Sequence, residues 1–543
     1  MSAKVEMIPC VNPATGEQFD EVPIATQAEI DSALREMRQN QVIWRRKSIK
    51  ERVRILRKFQ AFIIDSVDII SQTINQDTGK SRQDALIEVM MTVDRLHQYY
   101  KQAPRWLARR RVPPGLYIFR RFYSEPKPYG VVGIIAPWNY PFDLTISPLC
   151  SALLTGNTVV LKPSEVTGAT GALIEKLLQS VPELSPYVRV LHGDQRTGAA
   201  LVRSKPDLIY LTGSVPTGRK VARAAAENLV PYLLELGGKD PMLVLDDADI
   251  EAAARWGIWS ACYNTGQTCV SIERVYVVTS VYEQFISQVL AETKKINLGY
   301  SPDHNSPYHM APLTFERQKR IIQDQLKDAL GKGAHILTGG NIDRMFMEPT
   351  VIVDVDHSME IMKEETFGPI MPIMKVDDAE EATRLANDSI YGLSASVWSR
   401  NKRKAEEVAH QLEVGSVNIN DATTHYPVSL LPFGGVKQSG NARTHGKMEV
   451  LQFAQIHSYA VGRPPVSIDL ATKMRQPGHY RLGRAIMHLA FGVTPQQRIR
   501  PIAEEVERLA QQRKKTQTLA PVAAFGLISG LTAIIFGLLR FRK

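Results

Sequence analysis

The chain has 543 residues, 22% of them charged and 7% aromatic, with a formal net charge of +10. That length exceeds one ordinary domain and predicts two or three. From Gly462 onward 14 Lys and Arg stand against 4 Asp and Glu, so the first 461 residues are neutral; with no nucleic-acid motif present, this excludes a duplex-binding protein and fits a basic tail beside a membrane surface.

Met1 to Cys10 lacks the basic-then-apolar layout of a secretory signal, and nothing there predicts redirection from the cytosol. Ala28 to Ile70 and Leu86 to Tyr100 carry helical patterns, with no repeats or low-complexity tracts. Leu116 to Tyr129 reads as strand, rich in aromatics. From Gly130 the pattern becomes βα units. Val131–Ile135, Asn157–Leu161, Val188–Leu191 and Leu208–Leu211 are short β-branched runs separated by helical stretches, which predicts a parallel sheet covered on both faces, a doubly wound dinucleotide-type domain.

The usual GxGxxG fingerprint is missing. In its place Gly213-Ser214-Val215-Pro216-Thr217-Gly218 follows a strand and opens a helix expected over Arg219 to Glu227. A helix start offers N–H groups and a favourable dipole to a pyrophosphate, although an ordinary strand-to-helix turn reads the same way. Lys162-Pro163-Ser164-Glu165 stands just past a strand, where open α/β sheets bind ligands.

Further on, Leu234-Glu235-Leu236-Gly237-Gly238-Lys239-Asp240-Pro241 is a strand ending in a carboxylate, followed by two glycines that let the backbone approach a ligand. Asp249 to Ala261 reads as an Asp-capped helix that Gly266 ends, and Val275–Val278 as a buried strand. Between them lies Asn264-Thr265-Gly266-Gln267-Thr268-Cys269. A cysteine on such a connection can present its sulfur to a cleft, and a lone buried structural thiol is the competing reading. The other three, Cys10, Cys150 and Cys262, form no CxxC or Cys/His cluster with it, which predicts neither a disulfide framework nor a metal site.

Taken in order, Ala136-Pro137-Trp138-Asn139-Tyr140-Pro141, the Glu235 stretch, the Cys269 stretch, Glu364-Glu365-Thr366-Phe367-Gly368-Pro369 and Pro432-Phe433-Gly434-Gly435-Val436-Lys437-Gln438-Ser439-Gly440 resemble the aldehyde dehydrogenase superfamily, from about Val11 to about Ala460. The resemblance implies Cys269 as nucleophile, the Asn139 side chain and the Cys269 N–H as oxyanion donors, and Glu235 as the base that activates water on a thioester. It implies NAD as cofactor, NADP being possible, with Trp138, Lys162, Glu165, Gly213, Ser214, Leu236, Glu365 and Phe367 in contact with it. Glu165 would accept from the adenine ribose and repel a 2′-phosphate. The base at Glu235 would separate a hydrolytic enzyme from CoA-acylating relatives.

The implied layout is an α/β fold with an NAD-binding domain over 1–115 and 130–236, oligomerisation strands over 116–129 and 447–461, and a catalytic domain over 237–446. A homodimer or homotetramer is the implied assembly. Two departures stand out. Asn441-Ala442-Arg443-Thr444-His445-Gly446 replaces the acidic continuation of many members and puts a proton-relay acid in doubt, and Gln455 stands where Glu is frequent, which puts a subunit-contact ion pair in doubt.

Beyond 461, residues 462–518 read as a basic helical linker, with helices over His479–Phe491, which suits an anionic lipid surface or a plain linker, and Pro501–Arg513. Leu519 to Leu539 is 21 residues without a charge, closed by Arg540-Phe541-Arg542-Lys543. A helix of that length spans about 30 Å, a bilayer core, which predicts a C-terminal membrane anchor with the body in the cytoplasm. An anchored dehydrogenase suits a substrate that partitions into lipid, so a medium- or long-chain aliphatic aldehyde is expected. A small polar aldehyde or semialdehyde is the alternative substrate, and an inactive membrane-tethered scaffold the alternative class.

Overall fold

In the computed structural model the described residues are 6–115, 117, 120–462, 475–476 and 479–515. They fall into two compact units, one of 6–108 with 126–455, the other of the described residues within 109–125 and 456–515.

The first unit opens with a two-stranded antiparallel ribbon, Met7–Val11 with Gln18–Pro23, and four helices, Gln27–Trp44, Ile49–Asp65, Val67–Thr78 and Arg82–Trp106. Thr26 with Glu29 and Ser48 with Glu51 form capping boxes, so the first two helices start where hydroxyl and carboxylate satisfy their free N–H groups. They pack around a parallel sheet of β1 (Val131–Ile135), β2 (Thr158–Lys162), β3 (Val188–Val190), β4 (Leu208–Gly213) and β5 (Tyr232–Leu236), in the order β3-β2-β1-β4-β5. Alternation along β1 explains the double cover: Val132 and Ile134 join one buried cluster, Val131 and Ile135 the other.

A second sheet holds β6 (Asp240–Val244), β7 (Ile272–Val278), β8 (His335–Thr338), β9 (Thr350–Val353), β10 (Ile370–Val376), β11 (Ser394–Trp398) and β12 (Ser416–Ile419), ordered β8-β9-β10-β7-β6-β11-β12. It is parallel apart from the β8–β9 edge pair. Again Met242 and Val244 face one cluster and Leu243 the other. Ligands gather at the carboxyl ends of such strands, and Glu235 and Leu236 end β5 just before β6 begins.

Three local expectations are corrected. The helix after Ser214 is Val215–Ala226, not Arg219–Glu227, so the segment through Gly218 is the helix's own first turn. The hairpin strand is Arg120–Pro128, and its antiparallel partner Arg110–Val112 lies upstream of the aromatic run, too short and charged to show as a strand. Of 447–461, the residues to Gln452 are helix, and only Ala454–Gly462 is strand, the third of that small sheet.

In the second unit the Arg109 guanidinium lies over the Tyr123 and Tyr459 rings, at 4.0 and 4.9 Å. Helices His479–Phe491 and Pro495–Lys515 follow, the second beginning six residues before its expected start, and an Arg484–Glu504 ion pair of 2.7 Å joins them. Among the described residues no helix is long and apolar enough to cross a membrane. The predicted anchor, 519–539, lies outside them.

Candidate active site

The carboxyl edge of the first sheet places the residues expected to hold the cofactor. Lys162, buried at the end of β2, pairs with Glu165 at 2.5 Å. Gly213 ends β4, and Ser214 is the N-cap of Val215–Ala226. Its hydroxyl meets that of Thr217 at 3.0 Å and makes no cap bond, so it leaves the first-turn N–H groups to another acceptor. Leu236 lies against this helix, and a Cβ at Gly218 would fall 2.7 Å from both its methyls. Glycine at 218 thus sets how closely the helix approaches β5.

Trp138 precedes Asn139 in the chain. Its ring meets Phe367 edge-on at 5.5 Å and Phe315 at 5.0 Å. Phe367 is held in a left-handed conformation (φ 51°) because Glu273, inside β7, accepts from the N–H groups of Thr366 and Phe367 at 2.7 and 2.8 Å. Glu273 is paired in turn with Lys239 at 2.7 Å, and Lys239 also donates to Thr366 Oγ1 at 2.8 Å. This buried network went unread in the sequence, although a Glu-Arg pair within an otherwise apolar strand was its signal. It fixes the loop that carries Glu365, whose Oε1 accepts from the Gly238 N–H at 3.2 Å. A Cβ at Gly237 would sit 2.3 Å from the same carboxylate, so the diglycine is needed to receive it. Burial, with Glu273 adding, pushes the Glu365 carboxyl up to about 8.

The donor set and position suit a dinucleotide: an uncapped helix start, a Lys-Glu pair and close glycines all stand at strand ends.

The nucleophile segment follows the helix Ile250–Cys262, capped by Asp249. This helix ends four residues before Gly266. The chain then turns through Asn264 (φ 51°) and Thr265 (φ 59°), both left-handed, and Gly266 (φ 68°), where a Cβ would strike the Gly368 carbonyl at 2.2 Å. The Asn264 amide donates to the Asn139 and Gln267 carbonyls at 3.2 and 3.1 Å. Asn139 Nδ2 donates to the Gln267 carbonyl at 3.1 Å, which uses one of its two hydrogens. The Asn139 carbonyl also accepts from Lys80, itself paired with Glu88 at 3.0 Å, and all three residues are buried. Lys80 and Glu88 are thus positioning groups the sequence did not reveal, since both resemble surface charges.

Cys269 is half-buried, whereas Cys10, Cys150 and Cys262 are buried; all four are free. Its neighbours are Val270, Leu393, Phe433 and Tyr426, an apolar and aromatic wall. Burial pushes the thiol well above its usual range; Glu235, Asp240 and Glu365 push the same way, and its own N–H opposes them. Glu235 is buried, with Oε1 unpartnered among protein groups. Burial pushes its carboxyl far up, Arg443 opposes, and Glu449 adds. Structure therefore brings Glu235 and Glu365 each within electrostatic reach of Cys269, with Asn139 bonded into the same loop.

The departure at 441–446 has a physical sequel. Glu449, five residues after Thr444, is buried and accepts from Tyr99, Ser151 and the His445 N–H at 2.6, 2.8 and 2.7 Å, and its charge reaches Glu235. A carboxylate therefore stands near the expected base from a position that the motif did not indicate.

The model of the aldehyde dehydrogenase family matches residues 1–459. A protein of Methylomonas sp named 4,4'-diapolycopene aldehyde oxidase is 41% identical over 454 residues, covering 82% of this chain and 84% of its own. Among solved structures, an NADP-dependent glyceraldehyde-3-phosphate dehydrogenase from Bacillus halodurans, complexed with NADP, superposes with a TM-score of 0.80 at 32% identity, covering 84% of this chain and 96% of that one. A point mutant of betaine aldehyde dehydrogenase from Staphylococcus aureus, in complex with NAD+, gives 0.81 at 28% identity, covering 86% and 96%.

Proposed function

This chain belongs to the aldehyde dehydrogenase family and is an NAD(P)-dependent enzyme that oxidises aldehydes to acids, and on that premise we propose that its substrate is an apolar, medium- or long-chain aldehyde and its preferred cofactor NAD. The observation that carries the substrate reading is the apolar packing beside the nucleophile: Cys269 lies against the cluster of Val270, Leu393 and Phe433, with Tyr426 at its margin. The diapolycopene aldehyde oxidase acts, by its name, on a polyene aldehyde, an apolar substrate of the same kind. For the cofactor, Glu165 is a ribose acceptor whose partner Lys162 is already engaged, which leaves little free positive charge for a 2′-phosphate.

In this reading Cys269, as thiolate, attacks the aldehyde carbon, and the resulting oxyanion is held by the Asn139 amide and the Cys269 N–H. NAD, when bound, supplies the hydride acceptor. Glu235 then takes a proton from the water that hydrolyses the thioester. Its burial suits that role, since a carboxyl held up by desolvation is a stronger base when it does ionise.

Two further elements belong to the proposal. Ala454–Gly462 is an exposed strand at one edge of its three-stranded sheet, which supports pairing with a second copy in a dimer or tetramer. The uncharged stretch 519–539, flanked by basic residues, supports a C-terminal membrane anchor; those residues number three on each side and set no orientation, so the cytoplasmic side is assigned to the body because the cofactor is reached there. Flotation with vesicles should carry the full chain upward and leave a version ending at 518 behind.

The deciding experiment is reduced-cofactor production from aldehydes of graded length with NAD or NADP, beside Cys269→Ala. Turnover that rises with chain length, prefers NAD and vanishes in the variant supports the reading. Turnover confined to short polar aldehydes sinks the apolar assignment, product formation only with CoA sinks the hydrolytic one, and inactivity on every aldehyde under all conditions favours the scaffold.

A further inference from the structure

A buried carboxyl with no part in the chemistry above lies against the nucleophile's own peptide. Asp240 opens β6 directly after Gly237-Gly238-Lys239 and is 2% exposed. Its Oδ1 accepts from the Ser394 backbone N–H at 3.0 Å, and its Oδ2 lies 2.5 Å from the Ser394 hydroxyl. Ser394 begins β11, which runs parallel beside β6. On the other side, a Cβ at Gly238 would fall 2.6 Å from Asp240 Oδ1, 2.8 Å from the Cys269 carbonyl oxygen and 3.1 Å from Leu393 Cβ. Little more than the space left by one glycine separates the Asp240 carboxyl from the peptide of Cys269.

We propose that Asp240 is a positioning residue for the nucleophile: clamped to Ser394, it holds the Gly238 turn against the Cys269 peptide, and its charge governs how readily the thiol gives up its proton. The inference rests on the reading of Cys269 as nucleophile. Three carboxyls act on the thiol, Glu235, Asp240 and Glu365, and its own N–H opposes them. Asp240 faces Glu273, which disfavours its ionisation, and Arg274, which favours it, while Glu365 faces Glu273, Lys239 and Asp240. Burial pushes the Asp240 carboxyl up to about 8, with the Ser394 bonds pulling back. A neutral Asp240 adds no charge beneath the thiol at neutral pH. As pH rises through about 8 a negative charge appears there, and thiolate formation is opposed just where it should rise.

Two substitutions test this. Asp240→Asn keeps an acceptor for the Ser394 N–H and cannot ionise. Ser394→Ala keeps the acid and removes one bond that favours its charged form. The readout is the rate of Cys269 alkylation by iodoacetamide from pH 6 to 10, with Cys269→Ala as the blank, because it needs no turnover and survives failure of the substrate assignment. In the Asn variant the thiol should titrate lower and react about 3- to 10-fold faster near pH 9, the effect of removing one neighbouring charge. In Ser394→Ala the inflection near 8 should move to higher pH. Profiles of both variants that superimpose on the wild type overturn the proposal, as does uniform slowing at every pH. If the Asn variant does not fold, the Ser394→Ala inflection decides, an unmoved one overturning the inference.

Discussion

The two halves of the site are built by different means. At the edge of the first sheet the expected cofactor contacts sit on regular elements: a strand end at Lys162, another at Gly213, and a helix start at Ser214. Around Cys269 the chain breaks local rules instead. Asn264, Thr265 and Phe367 are left-handed without being glycine, Glu235 is buried with an unpartnered oxygen, and Lys239–Glu273 is an ion pair out of contact with water. Such features cost stability and persist only where the surroundings over-determine them. The cofactor half can thus be assembled from general folding rules, whereas the reactive half concentrates strain and unsolvated charge where chemistry uses them.

The strongest way to break that contrast is to remove the unsolvated base. Glu235→Gln should lower steady-state turnover about 100- to 10,000-fold, as loss of a general base does, while the first turnover still yields one reduced cofactor per thiol. A burst that disappears along with the steady state would place Glu235 in the attack of the thiol and not in hydrolysis. Next in size is Asn139→Ala, expected to cost about 100- to 1000-fold in kcat for a lost oxyanion donor. If kcat holds and only KM rises, Asn139 is a loop-bracing residue, which its bond to the Gln267 carbonyl would explain. On the regular half the effect should be milder. Glu165→Gln should raise KM for NAD about tenfold through loss of a charged acceptor and narrow the preference over NADP, with kcat retained; a collapse of kcat would mean the two halves are not separable.

The same contrast explains what the sequence disclosed. Strands, the Asp249 cap and the Cys269 connection were legible because period, capping residues and motif spacing are local signals. Lys80–Glu88 and Lys239–Glu273 were not, since a charged residue in a sequence reads as surface until its partner, 8 or 34 positions away, is brought beside it in the interior. Glu449 escaped for a related reason: its motif position is not the one where an acid was expected, and only the fold sets it near Glu235. The first arm of the hairpin, Arg110–Val112, is three residues with two arginines, and no periodicity can be read from so little. Roles for Asn139, Glu165 and Glu365 came from resemblance, and their geometry here is the physical content that resemblance lacked.

The smallest expected effect lies outside the site and asks whether a buried acid needs a reacting neighbour to be kept. Asp77, in the helix Val67–Thr78, accepts from the N–H and hydroxyl of Thr170 at 2.6 and 2.7 Å, while its Oδ1 has no partner. Burial dominates these bonds and pushes the carboxyl from 3.8 up to about 7. Between those values the folded chain holds a proton that the unfolded chain has lost, so this group's contribution to stability is complete below about 4 and is lost as pH rises toward 7. Asp77→Asn keeps an acceptor for the Thr170 N–H and has no proton to lose. Its melting temperature should therefore decline less from pH 5 to pH 7 than that of the wild type, while the ratio of their kcat values stays constant over the same range. Parallel melting curves would mean that Asp77 ionises in the folded state much as it does in water; a kcat ratio that varies with pH would mean that a buried charge outside the site reaches the thiol after all, and the division between regular and strained regions would fail.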